Sequence, residues 1–394
     1  MSESLRIALL LDPLSVVFDE ALRPRLKWRN HAPQLAQELM GRGHTVRGFG
    51  APPGLIPHTG EASLPGAENA WTKLQAFQPE VVVAYDGLSA AAVRGARAAR
   101  KSGGTLVLVE AGLPEVGRRL ERWRARFGEL FWGRYVRRTA DAVVALDPVA
   151  RERALREGFA DDLVTVVPHG VDVHHYRPGL ITPIVGRHRI RGRILLYVGR
   201  LSEGRGVDLL VSVFAKTVGQ RDDWSLVIAG DGPTRPRLRA KVERLGVASR
   251  VHWLPRPREE DLPGLMGAST LLAVPAREDV VMGRQISRSL ACGLPVVASE
   301  LPRLEGLFED GQHGLFVEPG SEAAWTEAVQ RAAGSPAARA RWGQAAREQA
   351  VAHLAWDGIA QRFDDIVVEA RAHARVRTSS RAEEQGDDPA SEAA

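Results

Sequence analysis

Three observations predict two doubly wound α/β domains. Short apolar, β-rich runs alternate along the chain with longer helical patterns, the signature of parallel strands covered by helices on both faces. At 394 residues the chain is too long for one typical core. A segment rich in Pro, Gly and Arg, "YRPGLITPIVGRHRIRGR" from Tyr176 to Arg193, divides the runs into two sets of similar size.

The runs of the first half are "RIALLLD", "HTVRGFG", "EVVVAY", "TLVLVEA", "DAVVAL" and "LVTVVP". A helix from Asn30 to about Arg42 carries Leu35, Leu39 and Met40 at core spacing and stops at Gly41–Gly43. The second half supplies "RILLYVG", "SLVIAG", "VHWL", "TLLAV", "PVVAS" and "GLFVEP". The expected organisation is a first domain over 1–180, a second over 181–355, a helix over 356–375 returning to the first domain, and a disordered polar tail over 376–394.

Composition narrows the function. Hydrophobic content of 44% and charged content of 26% are ordinary for a globular protein. The net charge of +5 is modest for this length, and no basic tract with interleaved aromatics appears, so nucleic acid is not an expected partner. Cys292 stands alone, which excludes an intramolecular disulfide and fits a reducing compartment. The opening apolar run is too short for a signal peptide or membrane anchor, so a cytoplasmic location is expected.

The strongest site signal is "LLYVGRLSEGRGVDLLVSVF". A buried strand ends at Val198, Gly199 and Arg200 make the turn, and Arg205 and Gly206 precede a helix near Val207. Ligands of open α/β sheets bind beyond the carboxyl ends of the strands, glycines allow close backbone approach, and helix N-termini attract anions. Arg200 and Arg205 there suit a diphosphate clamp. "SLVIAGDGPTRPRL" repeats the arrangement with Gly230, Asp231 and Gly232, on what should be the neighbouring strand. Between "LLAV" and "PVVAS" a helix opens near Gly283, with Glu278 and Asp279 just ahead of it. Ile286 and Leu290 form its buried stripe, and Arg284 and Arg288 lie roughly opposite, since two residues turn a helix by about 200°. His169, His174 and His175 lack the Cys or carboxylate partners of a metal set, and a special turn at Pro168–Gly170 is the better reading.

Taken in order, "LAQELMGRGHTV", "RRTADAVVALDPVARERALREG", "VVPHGVD", "YVGRLSEGRGVDLL", "LVIAGDGP", "ACGLPVVAS" and "EDGQHGLFVEPG" resemble glycosyltransferase family 4, the retaining GT-B enzymes, over most of the chain. The resemblance implies two Rossmann-like domains facing across a cleft, the second binding a nucleotide-diphospho-sugar and the first a glycan or lipid acceptor. It implies transfer of the sugar to an acceptor hydroxyl with retention, with no metal or other cofactor. Basic side chains stabilise the leaving diphosphate instead, and Arg200 and Arg205 match the family's Arg and Lys in that role. Gly199, Gly230, Gly232, Gly283 and Arg288 complete the implied donor site, and Glu278 and Asp279 are the candidate catalytic carboxylates.

There are departures. The family's glutamate pair, eight residues apart, falls on Val280 and Arg288, and a guanidinium cannot accept a hydrogen bond from a hydroxyl. Glu110 and Asp86 stand where the family often carries a histidine, and "DPLSVVFDEALRP" replaces its first Gly-Gly loop. The alternative to an active transferase is therefore an inactive relative that binds a nucleotide sugar or a partner. The segment 117–138 carries Leu120, Trp123, Phe127, Leu130 and Phe131 as a stripe, with Arg118, Arg119, Arg122 and Arg126 mostly elsewhere. That pattern suits peripheral contact with the inner face of a membrane, although its commoner use is a core-facing stripe with a solvated face.

Overall fold

The computed structural model describes residues 4–11, 28–49, 67–87, 89–110, 132–221, 223–278 and 283–386. Contacts divide the chain into two units, Met1–Pro168 with Ile359–Ala394, and His169–Gly358. The division lies ahead of the boundary expected at 180, because Val171, Val173 and Tyr176 are buried in the core of the second unit. The "DPLSVVFDEALRP" loop and most of the amphipathic segment 117–138 lie outside the described residues.

Unit 1 holds β1 (Arg6–Leu10), α1 (Trp28–Gly41), β2 (Thr45–Phe49), α2 (Ala67–Phe77), β3 (Val81–Tyr85), α3 (Ala90–Ser102), β4 (Thr105–Glu110), α4 (Arg134–Thr139), β5 (Ala142–Ala145), α5 (Pro148–Arg156) and β6 (Val164–Val166). The six strands are parallel, in the order β2-β1-β3-β4-β5-β6. Every residue of β3, β4 and β5 is buried, as expected of strands covered on both faces. Helix starts follow local chemistry. Ser89 Oγ accepts from Ala92 N at 3.1 Å to cap α3, and Asp147 accepts from Ala150 N at 2.8 Å to cap α5, ahead of Pro148.

Unit 2 repeats the plan with β7 (Arg193–Val198), β8 (Trp224–Ala229), β9 (Val251–Leu254), β10 (Leu271–Val274), β11 (Val296–Ser299) and β12 (Gly314–Val317), again parallel, in the order β12-β11-β10-β7-β8-β9. Its helices are α6 (Pro183–Arg187), α7 (Val207–Lys216), α8 (Arg235–Arg244), α9 (Leu262–Gly267), α10 (Gly283–Ala291), α11 (Glu322–Gly334) and α12 (Pro336–Gln349). Phe214, Trp224 and Trp325 are fully buried in its core. All twelve apolar runs of the sequence are strands. Because β7 pairs with both β8 and β10, the turns that follow these three strands share one edge of the sheet.

The last helix, α13 (Trp356–Gly386), begins against the second unit, with Trp356 beside His169 at 5.2 Å between ring centres. A methyl group on Gly170 would stand 2.5 Å from the Trp356 ring, which gives the Pro168–Gly170 turn its need for glycine. Further along α13, Asp364 accepts from Arg42 Nε at 2.7 Å and faces His44 Nε2 at 3.2 Å, and Arg371 pairs with Glu80 at 3.6 Å. The helix continues through the start of the segment expected as a tail, where Arg, Ala, Glu and Gln, all good helix formers, outweigh the polar composition. Among the described residues, no helix is long and apolar enough to cross a membrane.

One buried group makes unit 1 sensitive to acid. His31 on α1 is 1% exposed, and its Nδ1 lies 2.9 Å from the Tyr85 hydroxyl. Burial lowers its pKa from 6.5 to about 3 and raises that of Tyr85, so both stay neutral. The unfolded chain takes up a proton on this histidine below 6.5, whereas the folded chain does not until about 3. Its stabilising effect is therefore complete above 6.5 and is lost progressively as the pH falls toward 3. In urea unfolding, wild-type stability should drop by up to about 1.4 kcal/mol per pH unit from this group over that window. His31→Asn should show a shallower slope, and parallel slopes would refute the assignment.

Candidate functional site

The turns after β7 and β8 nest against each other. Gly199 N donates to Ala229 O at 3.1 Å, Leu201 N to Asp231 O at 2.9 Å, and Thr234 N to Leu201 O at 3.2 Å. A Cβ on Gly230 would lie 1.8 Å from Gly199 O, and one on Gly232 would lie 2.2 Å from Leu201 O. Both glycines are thus required by backbone approach. The Tyr197 hydroxyl donates to Arg200 O at 2.7 Å and pins the turn from beneath. Arg200 is half-buried.

One turn of 3-10 helix, Glu203–Arg205, leads to Gly206, which has φ +64° and enters α7. A side chain there would meet Pro275 O at 1.7 Å. Arg205 is 7% exposed, and burial holds its guanidinium down to about 10. A guanidinium in this setting gains strongly from an anion, because little solvent screens it.

The segment after β10 is tied to the same turn. Arg277 N donates to Gly204 O at 2.9 Å, and the Arg277 guanidinium makes two bonds of 2.9 Å to Asp208 on α7. Burial opposes the charge on Asp208, but these bonds hold its carboxyl below the usual range. Glu278 lies over Gly204, where an added methyl would come within 3.0 Å of Oε2. The structure thus brings Gly199, Arg200, Arg205, Gly230, Gly232 and Glu278 to one sheet edge. Asp279 and Val280 lie outside the described residues. Gly283 is less constrained, because a Cβ there would meet only Leu307 Cδ1, at 3.3 Å.

On helix α10 the apolar stripe is buried as expected, and the side opposite it is covered as well. Ile286 and Leu290 are fully buried, but the Arg288 side chain is also only 14% exposed. It pairs with Glu259 and lies 5.1 Å over the Tyr176 ring, while the Tyr176 hydroxyl donates to Glu259 Oε1 at 2.8 Å. Burial works against the Glu259 charge, but Arg288, the Tyr176 hydrogen bond and Arg284 keep its carboxyl below the usual range. Glu259 and Tyr176 escaped sequence reasoning, and the only hint was the acidic pair "EE" just beyond the carboxyl end of β9.

In unit 1, Glu110 is fully buried and its Oε1 accepts from Gly87 N, while Oε2 faces Arg153 Nη1 at 3.9 Å. Asp86, with φ +63°, occupies the strained turn that Glu110 supports. Among the described residues, no group of His, Cys, Asp and Glu is arranged to hold a metal ion.

The nested turns make a prediction. Gly206→Ala and Gly230→Ala should each destabilise unit 2 by about 2 kcal/mol or more, through left-handed strain at the first and backbone overlap at both. Urea unfolding checks this, with Gly246→Ala, where the added methyl meets nothing within 4 Å, as the strain-only control.

Comparison with known proteins places these features in a family. The Glycosyltransferase Family 4 profile matches residues 28–175, and the Glycosyl transferases group 1 profile matches 186–349. A D-inositol 3-phosphate glycosyltransferase of Acidothermus cellulolyticus is 33% identical over 70% of this chain and 62% of its own length. The same enzyme of Salinispora tropica is 30% identical over 55% and 48%. The chain therefore spans roughly half to three-fifths of these curated relatives. Among solved structures, a glycosyltransferase of Rickettsia africae shares the fold at a TM-score of 0.75 and 14% identity, over 94% of this chain and 99% of the other. HepE of Anabaena, solved in complex with UDP, does so at 0.71 and 19%, over 92% and 99%. The two profiles, matching in tandem along a chain with two parallel six-stranded sheets, make this protein a member of glycosyltransferase family 4 with the GT-B architecture.

Proposed function

We propose that the protein transfers a sugar from a nucleoside-diphosphate donor to an acceptor hydroxyl with retention of anomeric configuration. The observation that carries this reading is the nested pair of glycine turns, with Arg200 half-buried and Arg205 buried beside them. The donor diphosphate would lie against these turns. As the bond from the anomeric carbon to the diphosphate oxygen breaks, negative charge grows on the leaving group, and Arg200 and Arg205 stabilise it. The acceptor oxygen bonds to the anomeric carbon on the face that the diphosphate leaves, and a diphosphate oxygen there takes the hydroxyl proton. Glu278, held at Gly204, would accept from a sugar hydroxyl, a task that the guanidinium of Arg288 cannot perform.

UDP-glucose is the first donor to test, because HepE of Anabaena was also solved in complex with it. The relatives named for D-inositol 3-phosphate make a phosphorylated polyol the first acceptor to test.

Arg200→Ala and Arg205→Ala should each weaken nucleoside diphosphate binding by about 10- to 100-fold, the range of a charge-assisted bond to phosphate. Calorimetry with UDP and GDP measures this, and unchanged affinity in both variants would remove the clamp. Glu278→Gln should leave UDP affinity intact and slow nucleotide release from the sugar donor by about 10-fold or more. Full turnover in that variant would exclude Glu278 from the sugar site.

A further inference from the structure

Arg284 is a charge of unit 2 that the diphosphate clamp does not use. It opens α10, one turn ahead of Arg288, and its Nη1 is buried. Among the described residues it has no hydrogen-bond or ion-pair partner. Its surroundings offer too little compensation. Arg256 and Arg288 act on it as like charges, and Glu259 is the carboxylate within reach. That carboxylate is already engaged by Arg288 and by the Tyr176 hydroxyl. Tyr176 adds no charge, since burial raises its phenol well above neutrality. Burial and the neighbouring Arg288 hold the Arg284 guanidinium down to about 10, still charged at neutral pH. A half-buried guanidinium whose buried Nη1 has no partner among the described residues is unfavourable, and an incoming anion relieves it.

The position narrows what that anion belongs to. Strand β10 pairs with β7, and Arg277 N on the segment after β10 bonds Gly204 O in the turn after β7. Helix α10 therefore starts on the same sheet edge as the glycine turns. The diphosphate of a molecule seated there already has Arg200, Arg205 and the turn amides. A neutral sugar would leave Arg284 Nη1 unpaired among the described residues, whereas the two oxygens of a carboxylate match the edge of a guanidinium.

We propose that Arg284, with Arg256 beside it, receives a carboxylate carried on the donor sugar, so that the donor is a nucleoside diphosphate hexuronic acid or a similarly acidic sugar. This rests on the reading of unit 2 as a nucleoside-diphosphate-sugar site.

The test is calorimetry on the full chain with UDP, UDP-glucose and UDP-glucuronate. Wild type should bind the glucuronate conjugate about 10-fold or more tighter than the glucose conjugate, as expected for a charge-assisted pair. Arg284→Met should bring that ratio to about 1 while changing UDP affinity less than about 2-fold. Its thermal midpoint without ligand should equal or exceed that of wild type, because an unpaired buried charge is replaced by an apolar chain of similar length. Arg256→Gln should reduce the same ratio, and it carries the test if Arg284→Met does not fold. Equal affinity of wild type for the two conjugates overturns the inference and leaves the donor reading intact. A parallel loss of UDP affinity in Arg284→Met assigns Arg284 to the diphosphate and also overturns it. No binding of UDP, GDP or ADP by wild type overturns the nucleoside-diphosphate reading itself, and this inference with it.

Discussion

The close backbone approach at the ends of β7 and β8 is the constraint on which the second unit's chemistry depends. Neighbouring parallel strands run about 4.8 Å apart, so the turns that leave them compete for one space. Here Gly230 fits under Gly199 O and Gly232 under Leu201 O, with no room for a side chain at either. The nesting keeps the sheet edge flat and low, so that an anionic ligand can come close to main-chain amides. Gly206 extends the constraint to a third strand, since Pro275 O presses on it from the segment after β10. The Arg277–Asp208 pair and the bond from Arg277 N to Gly204 O then lock the two segments together.

Unit 2 uses arginine in two ways. Some arginines are structural and fully engaged. Arg339 donates to Ala332 O and Ala333 O at the end of α11, and Arg347 donates to Ala291 O at the end of α10 and to two carbonyls of the segment before α6. These satisfy carbonyls that a helix or turn leaves without partners, and they place positive charge where the helix dipole favours it. Arg205 and Arg284 are different. Arg205 is buried and Arg284 half-buried, and desolvation holds both pKa values down, a pattern that clusters at functional sites.

Much of the fold was legible because strands covered on both faces need unbroken apolar runs, and "VVVAY" or "LLYV" can hardly be anything else. The glycine turns were legible for a similar reason, since the requirement is local. What could not be read were contacts made by distant segments. Glu259 and Arg288 are 29 residues apart, and Tyr176 and Glu259 are 83 apart. They meet because β9 is followed by a crossover to β10 on the far side of β7. The helical wheel of α10 correctly assigned Ile286 and Leu290 to the core, but it could not say that the opposite side is covered too. In unit 1, Glu110 looked like an altered catalytic position, yet its Oε1 serves the Gly87 amide.

The discontinuity of unit 1 has a consequence for the order in which the protein is made. Arg42, His44 and Glu80 emerge from the ribosome early, while their partners Asp364 and Arg371 lie on the last helix. All of unit 2 must be synthesised in between. His44, nearly inaccessible in the finished protein, waits through that interval without its carboxylate. Unit 2, being continuous, has every residue of its core before the first unit can close. Domains generally fold as units during synthesis, N-terminal first. Here the N-terminal unit is the last to be complete, and a nascent chain halted just after Gly358 would carry one finished unit and one still open.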